Sequence, residues 1–98
     1  MDLKVTIEAE AKSALKSIYS YIKLSSEHRA KTLKRNVLNS IGELAKHPLK
    51  FPPDKFKIQN DGSIRAYEIY QLRITYSVSE TQITILRIRH TKRNPVKF

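Results

Sequence analysis

The chain has 98 residues, with Lys and Arg outnumbering Asp and Glu 19 to 9 for a formal net charge of +10. A chain this short holds one core, so the expected organisation is a single domain over residues 1–98, and two-domain enzymes are excluded. It has no Cys and no run near the roughly 18 apolar residues of a membrane span, which excludes disulfide scaffolds, thiolate zinc sites and transmembrane helices. The charge favours polyanionic partners such as nucleic acid or an acidic protein.

Met1-Asp2-Leu3-Lys4 is followed by no apolar stretch of the signal-peptide kind, so a cytoplasmic location is expected. Leu3, Val5 and Ile7 alternate with polar residues, the period of a short half-buried strand. From Ala11 the period changes. Ala11, Leu15, Ile18 and Ile22 predict an amphipathic helix, with Glu8 and Glu10 at its positive N-terminal end. Ser25-Ser26 breaks that helix and offers an N-cap to a second, whose stripe is Ala30, Leu33, Val37, Ile41 and Leu44. So short a link predicts an antiparallel helical hairpin over about residues 9–46. Its outer residues Arg29, Lys31, Lys34 and Arg35 read either as a solvated face or as a binding surface.

Pro48 is expected to end the second helix, and a long irregular segment, about residues 47–63, runs through Phe51-Pro52-Pro53-Asp54 to Asp61-Gly62. Leu49, Phe51 and Phe56 predict that part of it is pinned to the core or packed across a sheet edge. Three runs rich in β-branched and aromatic residues follow, Ile64 to Tyr70, Leu72 to Val78 and Gln82 to about His90, and read as an antiparallel meander over about residues 64–90. A basic tail, 91–98, closes the chain. The predicted fold class is α+β: a strand, a helical hairpin, then three strands, with the hairpin covering one face of a small, mostly antiparallel sheet.

The other face is the functional candidate. Leu72, Ile74, Tyr76 and Val78 share one parity and should meet the helices, which turns Arg73, Thr75 and Ser77 outward. On the last strand Arg87 and Arg89 oppose Leu86 and Ile88 and join Arg73 if the apolar pair faces inward. Lys92, Arg93 and Lys97 extend the charge, with Tyr67 and Tyr70 nearby. Cations interleaved with aromatics suit phosphate contacts and base stacking, although a guarded sheet edge uses the same residues. RNA cleavage through the 2′-hydroxyl needs a base, an acid and cations at one phosphate. Arg65, Arg73, Arg87 and Arg89 could supply charge and His90 or Glu68 proton transfer, but strict alternation puts His90 on the open face only if the strand ends or bulges before it. No metal-ligand spacing and no Gly-rich phosphate loop is present, so no metal and no cofactor are expected.

The segment Arg65 to Val78, followed by Ile83 to Pro95, resembles the C-terminal half of the RelE/ParE toxin superfamily, and the helical stripe Ala11, Leu15, Ile18 and Tyr21, with a second helix ending near Leu44 and Pro48, resembles its front half. The resemblance spans almost the whole chain. It implies a β-α-α-β-β-β toxin of a type II toxin–antitoxin pair, bound by a cognate antitoxin. RelE-like members cut messenger RNA on the ribosome, for which Arg73, His90 and Arg65 would be catalytic. ParE-like members inhibit DNA gyrase, and the ending His90-Thr91-Lys92-Arg93-Asn94-Pro95 looks more like that branch. Target binding would then fall to Arg73, Arg87, Arg89, Lys92, Arg93, Lys97 and Tyr67. The expected partners are the antitoxin and either gyrase or the ribosome and its message, with no membrane. A third reading is an inactive toxin-fold domain that binds nucleic acid.

Overall fold

The structure, a computed structural model, describes residues 3–91. Its elements are β1 (Lys4–Ile7), α1 (Ala9–Lys23), α2 (Glu27–Glu43), β2 (Ile64–Ile69), β3 (Leu72–Val78) and β4 (Gln82–His90). The element order is the predicted one. The strands form one mixed sheet in the order β1-β4-β3-β2, with β1 parallel to β4 and the other pairs antiparallel.

The hairpin follows from its sequence. Glu8 precedes α1 without a side-chain capping bond, and Glu10 sits in the first turn where the helix dipole favours it. Ser26 is extended at φ −160°, and its hydroxyl accepts from the Arg29 N–H at 3.2 Å, which stabilises the start of α2 by about 1 kcal/mol. Ala11 and Leu15 of α1 and Ala30, Leu33, Val37 and Ile41 of α2 are buried against each other and the sheet, and Leu44 just beyond α2 joins them. The second helix stops at Glu43, short of Pro48. Tighter turns follow, with Leu44, Ala45 and Lys46 N–H groups each bonding three residues back, and the Ala45 carbonyl accepts from the Leu3 N–H at 3.2 Å. The chain there is committed to the first strand's entry.

Registry sorts the sheet residues onto two faces. Leu72, Ile74 and Tyr76 of β3 face the helices, together with Ile83, Ile85 and Ile88 of β4, and all are buried. Thr75 pairs with Arg87 but Tyr76 pairs with Ile85, so Leu86 is the extra residue of a β-bulge. Strict alternation would put Leu86 on the same face as Ile88 and turn Ile85 outward. Instead the bulge resets the parity: Ile83, Ile85 and Ile88 all face the core, Leu86 is half-buried at the irregularity, and Arg87 and Arg89 share the open face with Arg73 and Thr75.

Tyr70 and Gln71 join β2 to β3 with φ of 51° and 61°, a two-residue turn whose twist suits the hairpin but which usually employs Asn or Gly. The segment between α2 and β2 hugs the free edge of β2. Pro53 bridges Arg65, the Asp54 N–H donates to the Ile64 carbonyl at 2.8 Å, and the Ala66 N–H donates to the Pro52 carbonyl at 3.4 Å. This is the edge packing expected from Phe51 and Phe56. Leu49, by contrast, is exposed. Among the described residues no helix is long and apolar enough to cross a membrane.

Candidate functional site

The open face is built around Arg73. Across the sheet its neighbours are Glu68 on β2 and Arg89 on β4, and one step along, Thr75 lies beside Arg87. Residues paired this way stand about 5 Å apart on one face, so Arg73, Arg87 and Arg89 form one cationic cluster. The edge segment then turns over this face and places Asp54 in it. The Asp54 side chain is 1% exposed and the Arg73 side chain 19%. Its carboxylate accepts from Arg73 Nη2 at 2.7 Å, from the Phe56 N–H at 3.0 Å and from the Thr75 hydroxyl at 3.3 Å. Arg73 Nη1 also donates to Glu68 at 3.3 Å, and the guanidinium lies 4.8 Å from the centre of the Phe56 ring.

A carboxylate that is buried must be paired and hydrogen-bonded to be tolerated, and these donors meet that condition. The same contacts explain why Thr75 is buried on an otherwise polar face. Asn60 organises the rest of the segment. Its amide donates to the Ile64 carbonyl at 2.7 Å and the Asp54 carbonyl at 3.3 Å, and its oxygen accepts from the Gly62 N–H at 2.9 Å. Gly62 has φ 97°, a conformation side chains disfavour. The Ser63 N–H and hydroxyl next door hold the Asp61 carboxyl below its ordinary range.

The other predicted site residues divide. Arg65 pairs with Tyr76 and so belongs to the helix-facing side. Its guanidinium donates to the Phe51 carbonyl at 2.6 Å and the Gly62 carbonyl at 3.1 Å, fastening both ends of the edge segment. Tyr67 pairs with Ile74 and is also turned inward. It stacks on Phe51 with ring centres 4.2 Å apart, and its hydroxyl shares a 2.8 Å hydrogen bond with Ser40 of α2. Burial pushes its pKa up from 10.0 to about 12, against the lowering effect of the Ser40 bond. A ring so enclosed offers no platform to a base, which corrects the expectation of base stacking for Tyr67; Tyr70, at the turn, is half exposed.

His90 pairs with Leu72, which is buried under the helices, so His90 is on the opposite side of the sheet from Arg73. The bulge that could have re-aimed it lies at Leu86, before Ile88, and leaves its parity with Ile88 intact. Arg73 and His90 are therefore not brought together. Arg73, Arg87 and Arg89 are. Lys92, Arg93 and Lys97 lie outside the described residues.

Asp54 and Phe56 take part in the site although the sequence pattern gives Phe56 only a packing role and Asp54 none. The available signal was an acid placed directly after Pro52-Pro53 in a stretch otherwise rich in Lys and apolar residues. Chemically, the face can attract and hold anions. Glu68, exposed at the rim and tied to Arg73, is a second carboxylate on it beside Asp54. Among the described residues no group of His, Asp or Glu is arranged to hold a metal ion.

A family model described as the ParE toxin of the type II toxin–antitoxin system parDE matches residues 5–95. The chain belongs to the ParE toxin family. Solved structures carry the same fold as this ParE-family chain. One, from the chromosomal ParDE toxin–antitoxin system of P. aeruginosa, superposes with a TM-score of 0.73 at 17% identity, covering 92% of this chain and 97% of that one. Another, from the toxin–antitoxin complex RelBE2 of Mycobacterium tuberculosis, gives 0.61 at 18% identity over 92% of this chain and 99% of that one. No curated protein matches it at a significant level. The fold expected from the resemblance is thus the observed one, and the chain is a toxin of the type II toxin–antitoxin class.

Proposed function

We propose that this ParE-family chain arrests growth by binding and inhibiting DNA gyrase, through the open face bearing Arg87 and Arg89 and the basic tail with Lys92, Arg93 and Lys97, and that it does so without cutting RNA. The observation that carries the reading is the separation of Arg73 from His90. Cleavage through a 2′-hydroxyl needs cation, base and acid at a single phosphate, and the two residues best suited to those tasks occupy opposite faces of the sheet. Arg73 is grouped with Asp54 and Glu68, not with His90. A binding protein needs neither grouping.

The family match over residues 5–95 supports the same side. An antitoxin is the proposed regulatory partner, since both structural neighbours come from toxin–antitoxin systems. An acidic or amphipathic antitoxin segment suits a net charge of +10.

The test is a gyrase supercoiling reaction run beside a translating extract, both supplied with purified protein. Lost supercoiling with an intact message is the expected result. Discrete new message ends that require ribosomes, with supercoiling unchanged, would make the chain a ribosome-dependent ribonuclease instead. Growth unaffected by expression without an antitoxin would mark it as an inactive toxin-fold domain.

A further inference from the structure

We propose that Asp54 is a built-in counter-anion occupying a phosphate seat on the open face, and that the phosphate of a nucleic-acid strand takes its place. The inference goes beyond the gyrase reading and does not depend on it. Three donors of different kinds converge on the Asp54 carboxylate: the Arg73 guanidinium at 2.7 Å, the Phe56 backbone N–H at 3.0 Å and the Thr75 hydroxyl at 3.3 Å. A charged fork, a main-chain amide and a hydroxyl form the donor set that proteins use for phosphate oxygens. The seat lies beside Arg87 and Arg89, the cross-strand neighbours of Thr75 and Arg73. A strand drawn to those arginines by its charge would run past it.

A plain structural staple explains the hydrogen bonds but not their location. The edge segment is already fastened to β2 by the Pro53 bridge, by the Asp54 N–H bond to Ile64 and by Arg65, and Asn60 ties its far end. None of those ties uses the Asp54 carboxylate. Of the segment's groups that reach the cationic cluster, the Phe56 ring is neutral and the carboxylate carries the charge, and with Glu68 it lowers the face's attraction for anions. Withdrawing one side chain, with the backbone ties kept, opens the seat.

Inorganic phosphate is the probe. The seat emptied by Asp54→Ala should bind it, so phosphate added at constant ionic strength against chloride should raise the melting temperature of the Asp54→Ala chain saturably, by several degrees, as binding to the folded state alone requires. The parent and the Asp54→Ala/Arg73→Met chain should not respond. Asp54→Ser is the second variant, because its hydroxyl can still accept from the Phe56 N–H and keep the turn. A variant unfolded in chloride should regain its folded signal in phosphate. No phosphate-specific gain in either variant, or an equal gain in the parent, overturns the proposal and leaves Asp54 a staple.

The nucleic-acid source is read with single-stranded oligodeoxynucleotide and oligoribonucleotide probes of one length. Asp54→Ala should bind them about tenfold more tightly than the parent, the worth of one charge-assisted contact. Glu10→Gln makes the same change of net charge at an exposed position in the first turn of α1, and should change affinity much less. Equal effects of the two substitutions would reduce the gain to bulk charge and refute the seat. The supercoiling assay uses the parent alone, so the two proposals fail separately.

Discussion

Replacing Arg73 with Met keeps an apolar stem over the Phe56 ring and removes the charge that faces Asp54. The Asp54 side chain is 1% exposed, and breaking a buried ion pair by deleting one partner typically costs about 3–5 kcal/mol. Two features reduce that figure here. Arg73 is itself partly exposed, and Asp54 keeps the Phe56 N–H and the Thr75 hydroxyl, so the expected loss is about 2–4 kcal/mol. A domain of this size has roughly 5–15 kcal/mol to lose, so the variant should fold, melting some 10–25 °C lower. Adding Asp54→Asn to Arg73→Met removes the stranded charge and should recover part of the loss. Urea unfolding of the parent, both single variants and the double variant then gives the coupling, expected at about 1.5–3 kcal/mol. Single-variant effects that add to within about 0.5 kcal/mol would refute the claim that Arg73 and Asp54 act as a pair. The cycle also has a functional use. Lost toxicity in Arg73→Met alone would confuse instability with a missing site residue, whereas a double variant that is folded and still toxic would show that Arg73 serves the loop.

Two further outcomes follow from single residues. The Tyr67 phenol, raised by burial to about 12 from 10.0, stays neutral in the fold after the unfolded chain has begun to ionise. Its contribution is complete below pH 10 and lost as pH rises toward 12, by at most about 2–3 kcal/mol; Tyr76, raised in the same direction chiefly by burial, adds to the slope. Tyr67→Phe should cost about 1 kcal/mol near neutrality, for the Ser40 bond, and flatten the decline in urea midpoint between about pH 9 and pH 11.5; an unchanged slope would contradict the burial argument. Gln71→Gly should raise the melting temperature by a few degrees, because Gln71 holds φ 61° where a side chain costs about 1 kcal/mol. The bond from the Thr91 N–H to its carbonyl uses the backbone only, and a lower melting temperature would mean that the Gln71 side chain holds the turn.

The order of elements was readable because each relies on a local period. Ala11, Leu15, Ile18 and Ile22 mark one helix and the Ser26 cap opens the next, and the alternation from Leu72 to Val78 assigns two faces to a central strand. The last strand was only half readable. Ile85 and Leu86 are adjacent apolar residues, either of which could face inward, and the choice belongs to the core, which takes Ile83, Ile85 and Ile88 by bulging at Leu86. Tyr67 is equivocal in the sequence for a related reason. An aromatic in a basic neighbourhood suits an exposed platform as well as a core, and its pairing with Ile74 decides. Asp54 was least legible of all, since its partner Arg73 lies 19 positions away and no local pattern links a loop acid to one arginine among many.

The way the fold uses its charge bears on mechanism. Sheet geometry allows residues of one parity to cooperate and keeps those of the other parity apart. Arg73, Arg87 and Arg89 cooperate by parity, whereas His90, next in sequence to Arg89, is set apart by it. Proximity in the chain is therefore a poor guide to shared chemistry here: the Arg89-His90 pair that looks like a cation beside a base is divided by the sheet itself. Bringing His90 to the open face while Ile88 stays in the core would require a second irregularity between the two, and the register shift between β3 and β4 lies earlier, at Leu86. The strand as it stands buries Ile88 and keeps His90 on the same side of the sheet. What that parity leaves on the open face is Arg87 and Arg89 beside Arg73, a grouping suited to holding an anion.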